Sequence, residues 1–261
     1  MSQPSRSHVS VEGPVALVTG AGRRLGNGIA RDLAARGYRV AAHANESRQE
    51  TEQTVRDLTA SGAEAIAVVA DLRDEAAVRA MVAEVVDQFG RVDALVNNAA
   101  IWISKPLPFV TADDVRQHFE VNTLGTFLCC QEVGLRMAAQ EGGGAIVNIG
   151  DWAIARPYLD YAAYFPSKGS IPALTRMFAV ELGTRNPRVR VNAVLPGPVL
   201  LPAEMSAEER HKIIDATLVK REGSIADVAQ AVAFLLSSTF ITGVCLPVDG
   251  GRTVYAPPPA D

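Results

Sequence analysis

Short apolar runs alternate with helical patterns along nearly the whole chain, and this alternation constrains the fold more than any other feature. PVALVTG, YRVAAHA, AEAIAVVADL and DALVNNAA read as four strands. GNGIARDLAARG, SRQETEQTVRDLTASG and DEAAVRAMVAEVVDQFG read as the helices between them, the first stopping on Gly37. A longer helical stretch over 113–140 is expected to break near Asn122, and AIVNIG, RVRVNAVLPG and GVCLPVDGG supply three later strands. Strands apolar on both faces belong in a parallel sheet covered by helices. No repeat and no linker divides the 261 residues, and 48% of them are hydrophobic, enough for one large core. The pattern predicts a single doubly wound α/β domain over 14–253, with a flexible polar leader over 1–13 and a Pro-rich tail over 254–261.

Several function classes are disfavoured. A formal net charge of −4 argues against a nucleic-acid partner. No apolar run reaches the roughly 18 residues a membrane span needs, and the start, MSQPSRSHVSVEG, lacks an apolar signal core. Cys129 and Cys130 lie inside an apolar stretch and Cys245 in a strand-like run, which suggests buried thiols and a cytoplasmic protein. No cluster has metal-ligand spacing, and His8, His118 and His211 read as surface residues.

The first strand runs directly into TGAGRRLGNGIA. Gly20, Gly22 and Gly26, between strand and helix, form the setting of a dinucleotide fingerprint. Such glycines permit a tight turn and close backbone approach, with the helix N-terminus facing a pyrophosphate. Arg23, Arg24 and Leu25 complete the loop. The two arginines are either solvated or a guanidinium fork on a cofactor phosphate. The second strand ends in AAHANES, without the acid that would bond the ribose hydroxyls of NAD. With Arg24, His43 and Ser47 nearby, the site suits a 2′-phosphate and NADPH/NADP+.

A second constellation lies in DWAIARPYLDYAAYFPSK, 151–168. Tyr164 and Lys168 are four apart, on one face if the segment is helical. An ammonium beside a phenol lowers its pKa, so the tyrosine can exchange a proton nearer neutral pH. Asp151 follows the apolar run AIVNI, at the expected C-terminal end of a strand, where open α/β folds bind ligands. An ionised aspartate only accepts hydrogen bonds, which suits a substrate offering N–H groups; the alternative is an aspartate capping a turn.

Taken together, TGAGRRLG, DALVNNAA, Asn122, Tyr164-x-x-x-Lys168, VLPG and ITGVCLPVDGG resemble the short-chain dehydrogenase/reductase family over almost the whole chain. The resemblance implies a seven-stranded parallel Rossmann-type sheet, a small-molecule substrate and usually a homotetramer. It also implies a tetrad. Tyr164 would be the general acid, Lys168 would lower its pKa and hold the nicotinamide ribose, and Asn122 would anchor a proton-relay water. Asp71 and Leu72 would flank the adenine, Asn98, Ala99 and Ala100 would line the cofactor, and Pro196 and Gly197 would meet the nicotinamide. Residues 199–224 would form the substrate lid.

Three positions depart from the family pattern: Asp151 replaces a serine, Arg24 the second glycine of the loop, and Ala100 the last glycine of N-N-A-G. The first two are similar to pteridine reductases, which also place an aromatic residue where NNAAIW has Trp102, to stack on the pterin. Trp102 is either that stacking residue or a core side chain. Val199 departs from the polar residue common after PG. The resulting expectation is an NADPH-dependent reductase of a pterin-like heterocycle, with Trp102, Asp151 and Tyr164 on the substrate. The alternatives are a reductase of 3-oxoacyl thioesters or other ketones, and a non-catalytic dinucleotide-binding regulator.

Overall fold

The computed structural model describes residues 13–255. Seven strands, β1 (Val15–Val18), β2 (Arg39–Ala44), β3 (Ala65–Val69), β4 (Ala94–Asn97), β5 (Gly144–Ile149), β6 (Val189–Pro196) and β7 (Cys245–Val248), form one sheet. Its order is β3-β2-β1-β4-β5-β6-β7, with every pair parallel. The chain reverses its direction of travel across the sheet between β1 and β4, so the loops after these strands open a crevice at the carboxyl edge.

Nine α-helices lie among the described residues: α1 (Arg24–Ala35), α2 (Arg48–Ala60), α3 (Glu75–Phe89), α4 (Ala112–His118), α5 (Gly125–Ala139), α6 (Tyr164–Gly169), α7 (Ile171–Arg185), α8 (Ala207–Asp215) and α9 (Ile225–Ser237). Successive strand side chains point to opposite faces. Val15 and Leu17 therefore enter one core layer with α3, α5 and α7, while Ala16 and Val18 enter the other with α1 and α9. This two-sided burial is why the strands read as continuous apolar runs. The expected break at Asn122 is a wide π-helical turn, Phe119–Leu124, between α4 and α5.

The leader expected over 1–13 and the tail expected over 254–261 lie almost wholly outside the described residues. Tyr255, inside them, is held by its N–H donating to the Gly251 carbonyl at 3.0 Å and by Arg156 donating to its own carbonyl. His118 is not at the surface as expected. It is buried beneath α4, where Nδ1 meets the Asp114 carbonyl at 2.7 Å. His211 is exposed on α8, 3.0 Å from Asp215, and His8 lies outside the described residues. Cys129 and Cys130 are buried free thiols, and Cys245 is half-buried in β7.

Candidate active site

The glycine loop is built by close approach. Gly20 has φ +64°, a conformation that favours glycine, and a Cβ on it would come within 3.0 Å of the Ala99 Cα. A Cβ on Gly26 would stand 2.2 Å from the Gly20 carbonyl oxygen. Thr19, which the sequence reading passed over, joins β1 to β4: its Oγ1 accepts the N–H groups of Asn98 and Ala99 at 2.9 and 3.0 Å. The Asn98 amide donates in return to the carbonyls of Thr19 and Gly20. Asn98 thus secures the loop, while Ala99 and the exposed Ala100 lie beside it.

The N-terminus of α1 opens from this loop with no side-chain cap and no acid in its first turn. Free N–H groups and an unopposed helix dipole suit an anion. This cradle fits the pyrophosphate of a dinucleotide. Leu25 packs into the core beneath it. Arg24 enters the helix at φ +50°, keeping a left-handed kink at the position where the family pattern has glycine. Its guanidinium donates to the Leu200 carbonyl at 3.1 Å, linking the loop to the 199–224 segment. Arg23 is exposed and 3.8 Å from Glu50. Ser47 precedes α2, with no side-chain cap bond occupying its hydroxyl.

His43 corrects the sequence reading. It was expected to help hold a 2′-phosphate, but it is buried in β2 with both ring nitrogens engaged. Nδ1 accepts the Gly20 N–H at 3.2 Å and Nε2 donates to the Ala70 carbonyl at 3.0 Å. Burial also pushes its pKa below the ordinary histidine value. A neutral ring with no free donor cannot hold phosphate; it ties the glycine loop to the end of β3. Asp71, after β3, is gripped by Arg73 at 2.6 Å, which holds its carboxyl below the usual range. Leu72 is buried under Gly125. At the end of β6, Pro196 and Gly197 lie against β7: the Gly197 N–H donates to Val248, and its Cα position leaves no room for a Cβ beside Asp249.

Beyond β5 the second constellation assembles. Asp151 caps a short 3₁₀ turn, Trp152–Ile154, its Oδ1 accepting the Ala153 N–H at 2.8 Å. Its Oδ2 accepts the Tyr164 hydroxyl at 2.7 Å. Asp151 therefore caps the turn and also meets Tyr164, with both oxygens engaged inside the protein. Lys168, one turn along α6, is buried and donates from Nζ to the Ile149 carbonyl at 2.8 Å.

The electrostatics differ from the sequence expectation that Lys168 lowers the phenol. Burial raises the Tyr164 pKa first, and the charge of Asp151 and the hydrogen bond to it raise it further. Burial also pushes the Asp151 carboxyl up, opposed by the Ala153 and Tyr164 hydrogen bonds and by Lys168. The same burial pushes the Lys168 amine down to about 8, opposed by Asp151. Burial, and the carboxylate that accepts its hydrogen bond, together keep the phenol protonated.

Asn122, fully buried in the π turn, fixes the back of the site. Its Oδ1 accepts the Ile101 N–H at 2.8 Å, and its amide donates to the Ile101 carbonyl and the Ser167 hydroxyl, each at 3.0 Å. Ser167 in turn donates to the Tyr164 carbonyl. His118 presents its ring edgewise to Tyr164, centroids 6.3 Å apart. Its four-residue spacing from Asn122 was the one sequence signal for this inward face. Trp102 is no core tryptophan: it keeps 44% of its surface exposed and stacks on Tyr161 at 4.9 Å, with 11° between the planes. Tyr161 and Tyr158, both unremarked in the sequence, continue this aromatic wall.

Among the described residues no group of metal-binding side chains occurs, and no helix is long and apolar enough to cross a membrane. The family model described as enoyl-(acyl carrier protein) reductase matches residues 20–253. The 3-oxoacyl-(acyl-carrier-protein) reductase FabG of Staphylococcus epidermidis is 36% identical over 240 residues, covering 90% of this chain and 97% of that one. Versicolorin reductase 1 of Aspergillus parasiticus is 35% identical over 257 residues, covering 92% and 97%. A blue fluorescent protein from a metagenomic library, solved in complex with NADPH, superposes with a TM-score of 0.83 at 34% identity, covering 93% and 99%.

Proposed function

The chain belongs to the short-chain dehydrogenase/reductase family and is an NADP-dependent oxidoreductase; on that premise we propose that it reduces ketones, with Tyr164 as the proton donor. The observation that carries this reading is the direction of Asp151. Both of its oxygens are engaged inside the protein, one by the Ala153 N–H and one by the Tyr164 hydroxyl. It is directed at the acid rather than at the edge of a heterocycle. The likeness to a 3-oxoacyl thioester reductase supports the same reading.

The cradle of Gly20, Gly22, Gly26 and the α1 N-terminus would hold the cofactor's pyrophosphate, and Arg24 and Ser47 its 2′-phosphate. NADPH, when bound, supplies a hydride with two electrons to the carbonyl carbon. Tyr164 gives its hydroxyl proton to the carbonyl oxygen as the π-bond opens, leaving an alcohol. A phenol has one proton and can direct it to one acceptor at a time. Protonation of Asp151 removes the competing carboxylate and frees that proton for the substrate. Lys168, anchored on Ile149, sets a positive charge near Asp151. Asn122 holds Ile101 and Ser167, and so ties the loop after β4 to the helix that carries Tyr164.

A second reading, reduction of a pterin-like heterocycle, keeps one support in the exposed ring of Trp102. Turnover with NADPH of an acetoacetyl thioester and of dihydrobiopterin separates the two. The ketone reading expects thioester turnover that falls by about 10²–10⁴ in Tyr164→Phe. Turnover of the dihydropterin alone would reject it.

A further inference from the structure

A continuous aromatic wall runs from the candidate acid outward to solvent. Tyr164 meets Tyr161 at 6.3 Å, and Tyr161 carries Trp102 flat against its ring. Tyr158 closes edgewise on Tyr161 and on Phe165, at 5.1 and 4.9 Å. Two loops supply these rings, one after β4 and one after β5, and they are fastened together. The Lys105 N–H donates to the Asp160 carbonyl at 2.7 Å, and Lys105 pairs with Tyr161 in an isolated bridge. The Lys105 ammonium is itself held by Asp114 at 2.6 Å. The wall is therefore a fixed surface and not a mobile flap.

Burial pushes the Tyr158 phenol up to about 12, so it carries no charge at neutral pH. Arg156 and Arg252, the guanidiniums of the adjoining segments, donate to backbone carbonyls, and Arg252 also lies over the Trp152 ring. Ile103, Leu107, Phe109 and Leu159 continue the apolar surface outward, Leu107 and Phe109 each more than two-thirds exposed. With one face on Tyr161 and almost half its surface open, Trp102 has an aromatic face left to cover. Aromatic faces prefer an offset-stacked ring, beyond what area burial alone provides.

The geometry points to a substrate whose ketone belongs to a fused aromatic ring system, the flat body lying on Trp102 while the carbonyl reaches Tyr164. This rests on the ketone-reductase reading and names its substrate class. The reaction is unchanged: one hydride to the carbonyl carbon, one proton from Tyr164 to the oxygen, one alcohol formed.

The test uses the full chain and three probes: 2-tetralone, an acetoacetyl thioester of N-acetylcysteamine, and 2-naphthol, which has no carbonyl to reduce. The expected result is a kcat/KM at least about tenfold higher for 2-tetralone than for the thioester. Trp102→Leu should lower that ratio about 3- to 10-fold, mainly through KM, as loss of a stacking contact does, and Trp102→Phe should restore most of it. Calorimetry should show 2-naphthol binding weakened by a similar factor in Trp102→Leu. Binding of 2-naphthol that is absent, or indifferent to Trp102→Leu, overturns the inference, as does a preference for the thioester. Trp102-dependent naphthol binding with neither carbonyl turned over would support the aromatic site and overturn the ketone-reductase reading instead.

Discussion

Replacing Asp151 by asparagine tests what the carboxylate does to the acid. The Tyr164 hydroxyl donates to Asp151 at 2.7 Å in a buried setting. A hydrogen bond to a charged group is worth roughly 1.5–3 kcal/mol. At about 1.36 kcal/mol per pKa unit this corresponds to roughly 1–2 units of added reluctance in the phenol to release its proton. The sign follows from the direction of the Asp151 shift. Burial raises its pKa, so the acid form persists above the ordinary carboxylate range and is lost as pH rises. In the acid form the phenol proton is available to the substrate; in the ionised form the carboxylate competes for it. Reduction by the wild type should therefore decline as Asp151 ionises. Asp151→Asn has no such ionisation and should lack that decline, down to the separate effect of Lys168 losing its proton near pH 8. Steady-state kcat/KM, followed by NADPH absorbance from pH 5 upward, should show wild type equal or faster at the acid end. On the alkaline side the variant should lead by about 10- to 150-fold, the rate equivalent of the lost bond. Parallel profiles would refute the role assigned to Asp151.

Three further outcomes follow from the site. Lys168→Met should abolish turnover yet raise stability at pH 7 by about 2 kcal/mol, because the shift from 10.5 to about 8 marks a buried charge costing about 3 kcal/mol, offset by the lost Ile149 bond. That gain should shrink between pH 8 and 10.5, where the unfolded chain binds the proton the folded one has released; thermal melts across this range check it. Arg24→Gly should weaken NADPH binding at least about tenfold with little change for NADH, and should not lower the melting temperature, since glycine takes φ +50° without strain. His43→Leu should cost roughly 2–4 kcal/mol in urea denaturation by leaving the Gly20 N–H and Ala70 carbonyl unpaired, while the ratio of NADPH to NADH affinity stays put.

The strands, their order of appearance and the helices joining the first five were legible because burial on both faces writes itself as apolar runs; α7 and α9, between the later strands, were not read. The interruption at Asn122 was legible as a break; its π-helical form, which turns the Asn122 side chain toward Ile101 and Ser167, was not. His43 was misread because its place near the end of β2 suggested an open strand end. Strand alternation held the better signal: His43 shares the face of Ala41, which is core. The cofactor loop could be recognised from its glycines, but not the role of Thr19, whose hydroxyl bonds a strand nearly eighty residues away. The candidate acid illustrates the deeper limit. Tyr-x-x-x-Lys spacing placed both side chains on one helical turn, as α6 does. It could not say which group the phenol faces, because that depends on the path of the loop from Asp151 to Tyr164.

That path alters the proton inventory of the site. Desolvation acts in opposite senses on an acid and a base, raising Asp151 and lowering Lys168, so the two affinities for a proton approach each other around the phenol. A serine in place of Asp151 could orient the Tyr164 hydroxyl and donate to a carbonyl, but it could not store a proton at neutral pH. A buried carboxyl keeps its proton to a higher pH than an exposed one. In the proposed reduction each carbonyl would take one proton from Tyr164, and the Asp151 carboxyl that would replace it lies one hydrogen bond away, at 2.7 Å. On this proposal the aspartate that departs from the family pattern sets the pH range over which the site supplies its acid.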